Sequence, residues 1–359
     1  MSVLYRKYRP TAFADIVGQE HVVQTLGNAI KMGNVAHAYL FAGPRGTGKT
    51  TMARLLAKNL NCIAPKNSTA CLKCDVCREV DKGNFTDLIE MDAASTRGID
   101  DVREIKESVR VLPTKSKYKI YILDEAHMLT GPAASALLKV LEEPPEHVIF
   151  ILATTDAHKI LPTIISRTQR FDFRLLTRKE ISERLAGIAK KEKKPISDDA
   201  VKLITTASGG SMRDAESILG KVLFLDDPSA ERIQELLGLT GRGEVSAFLS
   251  YIAENKKEEA LQHIGGIVKK GGDLEQFAQA ATGYARVLMF LKLSPSSHEL
   301  ILEDFSKEEA ETAKLQAEKL TEKKIYSIIR EFIGAGNEIK YSPLPQLPLE
   351  LAAINLTTE

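Results

Sequence analysis

The sequence predicts an α/β domain built on a parallel sheet, followed by a small helical unit and an all-α C-terminal region. Three observations predict it. Short apolar runs alternate with amphipathic runs as far as Phe173, the order expected of strands joined by helices. A glycine-rich stretch joins one of these apolar runs, residues 38–42, to the helix that follows it. From Glu244 onward only helical periodicity remains.

At 359 residues the chain exceeds a single core of usual size, so two or three domains are expected. It is 43% hydrophobic and 27% charged, an ordinary balance for a globular protein. The net charge of +1 argues against a wholesale nucleic-acid coat, while leaving room for a local basic surface. Apolar runs such as 148–153 are far too short to cross a bilayer. The first ten residues carry basic side chains with no apolar core after them, unlike a signal peptide. The expectation is a cytoplasmic chain with no membrane partner.

An N-terminal arm comes first, with Arg9-Pro10 setting a break and Ile16-Val17-Gly18-Gln19 offering apolar surface and a close backbone approach. A helix is expected over 20–31. The apolar run 38–42 then leads into Gly43-Pro44-Arg45-Gly46-Thr47-Gly48-Lys49-Thr50, and Thr51 opens an amphipathic run to residue 61. Strand, glycine-rich loop and helix are the context that makes G-x-x-x-x-G-K-[ST] a P-loop. Gly43, Gly46 and Gly48 let the backbone turn its N–H groups toward phosphate oxygens, and the helix N-terminus adds positive potential. Lys49 is a charge for the outer phosphates, and the Thr50 hydroxyl is placed for Mg²⁺. The stretch reads as a nucleoside-triphosphate site.

All four cysteines lie in the spacing Cys62-x8-Cys71-x2-Cys74-x2-Cys77. The two x2 spacings let neighbouring thiolates converge on one ion, and Cys62 can supply a fourth ligand from the end of the preceding helix. Four soft sulfurs favour structural Zn²⁺ over magnesium or calcium. An iron–sulfur cluster, a redox pair and free thiols are the alternatives, although no thioredoxin-like context surrounds the C-x-x-C pairs.

Residues 85–92 read as a second strand, and Thr96-Arg97 lead into a helix over 99–111 that is either a capped surface helix or a phosphate contact. Residues 118–123 read as a buried strand that delivers Asp124 and Glu125 at its C-terminal end, where ligands of parallel sheets sit. Asp124 is expected to hold Mg²⁺, and Glu125 to orient and polarise the water that attacks the γ-phosphate. Asp124-Glu125-Ala126-His127 also spells the box of one helicase class, without partner motifs later in the chain; His127 reads as structural. A helix over 132–142 ends at Glu143-Pro144-Pro145, and residues 147–153 form a further buried strand. Thr154-Thr155-Asp156 at its tip is either a turn or a contact to the γ-phosphate or its water. Arg167 precedes a last strand at 169–173 and is by default a surface charge. Amphipathic runs at 197–207 and 211–225 follow, with Arg213 in the first turn of the second, where it either snorkels or senses phosphate. Asp226-Asp227-Pro228 and 238–243 break the pattern. The rest is helical, at about 245–253, 257–269, 274–293, 307–318 and 322–334, punctuated by Ser294-Pro295-Ser296-Ser297 and Ser342-Pro343-Leu344-Pro345. It reads as an interaction domain.

Together these motifs resemble the clamp loaders of the AAA+ superfamily, and within them the γ/τ family of bacterial DNA polymerase III. Arg9-Pro10, Val17-Gly18-Gln19, the P-loop, the four-cysteine insert and Asp124-Glu125 carry the resemblance. Leu141-Glu142-Glu143-Pro144-Pro145, Ala153-Thr154-Thr155-Asp156, Ser166-Arg167 and Gly210-Ser211-Met212-Arg213-Asp214 complete it. It is strong over residues 3–220, and beyond them rests on helical character and length. It implies an AAA+ α/β P-loop NTPase domain over 1–176 with a zinc insert at about 62–77. A helical lid over 177–240 and an all-α collar for oligomerisation over 241–359 would follow. It implies ATP at subunit interfaces of a ring-like pentamer that opens a sliding clamp, places it on primed DNA and hydrolyses ATP to release it. The residues around ATP would be the loop from Gly43 to Thr51, with Arg9, Pro10, Val17 and Gly18 flanking the adenine. Thr155 would be the first sensor, Arg213 the second, and Arg167 an arginine finger reaching a neighbour's γ-phosphate; Thr168 stands where the family often has cysteine. A finger supplied in trans raises kcat by about 10³–10⁵, roughly 4–7 kcal/mol of barrier. Expected partners are the δ and δ′ subunits, further copies of the chain, the sliding clamp β and primed DNA. Longer family members continue into polymerase- and helicase-binding regions, and ending at Glu359 leads one to expect a shortened form that would meet the polymerase core only through such regions.

Two other readings stand beside the hydrolysing motor. One is a clamp-loader subunit that binds nucleotide without cleaving it; intact Lys49, Thr50, Asp124 and Glu125 speak against it. The other is a different AAA+ DNA motor such as a branch-migration helicase, which would need a C-terminal DNA-binding module that the sequence after Gly243 does not resemble.

Overall fold

Five strands, β1 (Ala38–Ala42), β2 (Leu88–Asp92), β3 (Lys119–Asp124), β4 (Val148–Thr154) and β5 (Gln169–Asp172), pair in parallel in the order β2-β3-β4-β1-β5. This computed structural model describes residues 3–66, 69–95, 105–225, 228–237, 241–294, 298–302 and 305–358. Thr96 and Arg97, the start of the helix expected at 99–111, Asp226-Asp227, residues 238–240 and Pro295-Ser296-Ser297 lie outside the described residues; the described part of that helix is helical at 105–108. The chain divides into two units, Met1–Pro228 and Ser229–Glu359.

Fully described helices of the first unit include α1 (Leu4–Lys7), α2 (Glu20–Met32), α3 (Lys49–Asn61), α4 (Asp75–Lys82), α5 (Gly131–Glu142) and α6 (Pro162–Ile165). All residues of β1 and β4 are buried, as a parallel sheet covered on both faces requires. Strand alternation divides them between two layers. Tyr39, Phe41, Ile122 and Ile151 pack with Val22 and Leu26 of α2 and with Met52 and Leu56 of α3. Leu40, Leu123, Phe150 and Leu152 pack with Ala133, Leu137 and Leu141 of α5. Each such large side chain contributes about 1.5–3 kcal/mol of burial. The strand expected from Phe85 begins only at Leu88. Buried Asp87 accepts hydrogen bonds from the Thr114 and Lys115 N–H groups at 2.7 and 2.8 Å, which ties this segment to a loop.

Farther along the unit come α7 (Arg178–Lys191), α8 (Asp198–Ala207) and α9 (Met212–Val222). Thr177, Ser197 and Ser211 cap them through their side-chain oxygens, each worth about 1 kcal/mol. Helix α1 packs on α9, with Leu4 Cγ 3.6 Å from where a Cβ on Gly220 would stand.

The second unit is helical throughout its described residues: α10 (Ala230–Leu237), α11 (Arg242–Ala253), α12 (Lys257–Lys269), α13 (Leu274–Leu293), α14 (His298–Ile301), α15 (Lys307–Lys319), α16 (Glu322–Glu338) and α17 (Leu347–Thr358). Phe248, Phe277 and Phe332 meet at its centre, with ring centroids 5.1 and 5.7 Å from Phe248. Buried Gln316 accepts from the Tyr284 hydroxyl at 2.7 Å and donates to Ser246 O and Ser250 Oγ at 2.8 and 2.7 Å, fixing the register of α11, α13 and α15. No helix among the described residues is long and apolar enough to cross a membrane.

Candidate nucleotide site and cysteine cluster

Because the strands are parallel, their C-terminal ends share one edge, and the chain leaves β1, β3 and β4 there through Gly43, Asp124 and Thr154. The loop after β1 turns through φ values of +146° at Gly43, +76° at Gly46 and +99° at Gly48, before α3 begins at Lys49. A Cβ on Gly43 would stand 2.3 Å from Phe173 O, and one on Gly46 only 1.9 Å from Ser211 Oγ, so larger residues are excluded at both. Lys49 is 6% exposed. Its ammonium donates to Gly43 O and Pro44 O at 2.7 and 2.8 Å, and burial pulls its pKa down against the opposing pull of Glu125 and Asp124.

Asp124 Oδ2 accepts from the Thr50 hydroxyl at 2.8 Å, and Oδ1 from the Glu125 N–H at 3.0 Å. Both Mg²⁺-ligand candidates therefore sit side by side, a hydroxyl against a carboxylate, which is a donor set that suits a hard cation. Glu125 holds φ +48°, a left-handed conformation that costs a residue with a Cβ about 1–2 kcal/mol. Its Oε2 accepts from Thr155 Oγ1 at 2.9 Å and Thr155 N at 3.3 Å, and lies 3.4 Å from His127 Nδ1. The same His127 nitrogen is 3.0 Å from the hydroxyl of buried Thr154.

One cavity gathers most of the expected residues. Arg9, Pro10, Val17, Arg45, Gly46, Thr47, Gly48, Lys49, Thr50, Thr51, Asp124, Glu125 and Arg213 line it. Gly43, Pro44 and Thr155 do not line it. Gly18 is also off it: at φ +74°, a Cβ there would lie 2.5 Å from Leu176 Cδ2, so this glycine serves the packing of the arm against the start of α7. Arg167 is elsewhere, in a shallow depression beside His37 and Gln169. Its guanidinium donates to Glu142 Oε1 at 2.8 Å, Thr163 O at 2.9 Å and Ser166 Oγ at 3.3 Å.

The cavity wall also holds residues that sequence reasoning did not single out: Tyr5, Asp15, Leu176, Arg184 and Glu216. The Tyr5 ring lies 4.9 Å from the Arg213 guanidinium. Arg184 of α7 donates to Tyr8 O at 2.5 Å and through Nε to Glu216 Oε1 at 3.4 Å. Burial pushes the Glu216 carboxyl up to about 7, outweighing the opposing charges of Arg184 and Arg9. No periodic signal marked Arg184 and Glu216, since charged residues on amphipathic helices ordinarily face water.

The four cysteine sulfurs lie within 4.8 Å of one another. Cys62 is the C-cap of α3, Cys74 the N-cap of α4, and Cys77 lies inside α4. Sγ of Cys74 is 4.0 Å from that of Cys62 and 3.4 Å from that of Cys77. Four sulfurs at about 2.3 Å from a tetrahedral ion would stand about 3.8 Å apart, so the donor set fits Zn²⁺. The Lys73 and Cys74 N–H groups hold the Cys71 thiol down at about 6, while burial pushes Cys62 and Cys77 up. Lys58 pairs with Asp81 and Asn59 Oδ1 accepts from the Ala70 N–H at 2.7 Å, which anchors the insert to α3.

Three family models match the chain: DNA polymerase III, delta subunit, over residues 18–177; DNA polymerase III clamp loader subunit, ATPase lid domain, over 180–222; and DNA polymerase III subunits gamma and tau domain III over 229–359. DNA polymerase III subunit gamma of Buchnera aphidicola subsp. Schizaphis graminum is 34% identical over 359 residues, covering 99% of this chain and 98% of its own length. DNA polymerase III subunit tau of Bacillus subtilis is 36% identical over 356 residues and that of Escherichia coli 39% over 297, covering 98% and 82% of this chain. The chain spans 62% and 46% of the length of these two relatives.

Proposed function

The chain belongs to the gamma/tau family of DNA polymerase III subunits, and from that membership we propose that it is the ATP-hydrolysing motor subunit of a replicative clamp loader, which opens a sliding clamp and loads it onto primed DNA. The observation that carries hydrolysis, rather than binding alone, is the linked row Thr50, Asp124, Glu125 and Thr155 beside buried Lys49. Thr50 and Asp124 would hold Mg²⁺, which when bound neutralises charge on the phosphates. Lys49 supplies a fixed positive charge that is preorganised before the reaction, and Glu125 accepts the proton of the attacking water. Thr155 aims the Glu125 carboxylate, and Arg213 on α9 reports on the phosphates as the second sensor. Arg9, Pro10 and Val17 flank the base, while Gly18, Gly43 and Pro44 shape the backbone around it.

Arg167 acts on a neighbour's nucleotide in this reading, and its position off the chain's own cavity wall supports that role. The neighbours are further copies of the chain and the δ and δ′ subunits, joined through a collar over 241–359; residues 177–240 form the lid. The cysteine cluster carries a structural Zn²⁺ with every ligand a protein atom, leaving no open position for catalysis. Measuring ATP turnover for the chain alone, with δ and δ′, and with clamp and primed DNA tests the proposal. Stimulation by the assembly is expected, abolished by Lys49→Ala; full-speed turnover by the lone chain would overturn it.

A further inference from the structure

One buried ionisable group on the cavity wall takes no part in the phosphate chemistry. Helix α9 starts against the P-loop, where Ser211 Oγ and Arg213 Cβ crowd the Gly46 backbone. Glu216 comes three and four residues after Arg213 and Met212, on the same face and about one turn, ~5 Å, farther along. It is 4% exposed, yet it lines the cavity together with the flat or apolar surfaces of Pro10, Ile16, Val17, Leu176 and Met212. Arg184, itself anchored on Tyr8 O, approaches one carboxyl oxygen of Glu216 and fixes the orientation of the group.

We infer that Glu216 reads the nucleobase, its carboxyl group receiving the exocyclic amino group of adenine. The inference rests on the cavity being an ATP site. Adenine presents an amino donor beside a ring-nitrogen acceptor. Hypoxanthine places a carbonyl oxygen there, which would face the carboxyl group acceptor to acceptor, and unsubstituted purine offers nothing. A buried polar group left without its partner discriminates strongly, because its desolvation goes uncompensated. Toward an amino group the carboxyl group must act as acceptor, the form that the Arg184 guanidinium beside it favours. A surface glutamate would offer neither the dry surroundings nor the fixed orientation.

Competition binding of ATP, inosine triphosphate and purine riboside triphosphate to the full chain, against a fluorescent ATP analogue, tests it. The wild type is expected to prefer ATP over both by at least about tenfold. Glu216→Leu should bring that ratio close to one in a chain whose circular dichroism is unchanged. Glu216→Gln, whose amide can turn its oxygen to an amino group or its N–H to a carbonyl, should lose the preference over inosine triphosphate and keep that over purine riboside triphosphate. Equal affinity of the wild type for the three nucleotides would overturn the inference, as would a preference that survives in folded Glu216→Leu. Should the leucine variant not fold, the wild-type ratio and the glutamine variant decide. Lys49→Ala is the separate control: if it binds ATP as the wild type does, the phosphate-site reading fails, whereas loss of all three nucleotides leaves that reading standing and the base question to Glu216.

Discussion

The Thr155 hydroxyl donates to Glu125 Oε2 across 2.9 Å, and Glu125 holds φ +48° while it accepts. Two residues on neighbouring strand ends thus fix one carboxylate, the first through a directed donor and the second through a strained backbone. Glu125→Gln is expected to lower kcat by about 10²–10⁴ with ATP affinity retained, because the general base is lost and the binding loop is not. Glu125→Gly should do the same while raising thermal stability, since it releases about 1 kcal/mol of left-handed strain. Single-turnover assays and melting curves on both variants check this; a glycine variant less stable than the glutamine one would refute the strain account.

Arg167 is half-exposed and pairs with exposed Glu142, a contact worth no more than about 1 kcal/mol. Arg167→Ala should therefore leave the fold and the ATP affinity of the isolated chain unchanged. In an assembly it should cut turnover by on the order of 10³ or more. If affinity in the lone chain falls instead, the residue serves its own cavity or its own fold.

Elemental analysis of purified chain should find about one zinc per molecule, as four thiolates on one ion require. Stripping the metal with a chelator should lower the melting temperature and speed amide exchange in α4 first, because Cys74 and Cys77 flank and occupy its first turn. A chelated chain that melts as before would reject the site.

Glu216 gives the first unit a pH dependence of definite sign. Its carboxyl rises from an ordinary 4.5 to about 7 on folding, so the folded state holds the proton more tightly than the unfolded one. Its contribution is most favourable below pH 4.5 and is lost as the pH rises through 7, by on the order of 3 kcal/mol. Glu216→Gln cannot titrate and keeps an acceptor for Arg184. Its melting temperature should exceed that of the wild type more at pH 8 than at pH 5; an equal gap at both values would contradict the shift.

Much of the fold is legible in the sequence because its signals are local. The P-loop, the cysteine spacing and the acidic pair at the end of β3 each occupy a short stretch of chain; the first and third share one cavity wall, and the four sulfurs cluster. Most helices of the second unit follow from apolar stripes. Helix α17 leaves no such signal, for a physical reason: Leu349, Ala352, Ala353 and Leu356 are buried while Leu351 is exposed, so apolar residues surround the helix and no stripe forms. Helix α1 is too short to show a period. Glu216 and Arg184 meet only because α7 and α9 fold together beneath the arm, and Gly18 serves packing rather than the cavity wall.

Strand β4 runs between β1 and β3, with Ala42 opposite Thr154 and Leu123 opposite Leu152. That pairing assigns different roles to two chemically identical neighbours, since Thr154 turns inward to His127 and Thr155 outward to Glu125. Sliding β4 by one residue would exchange their directions along with those of every core side chain in the strand. The apolar interlock that stops such a slide is therefore also what tells one threonine from the other.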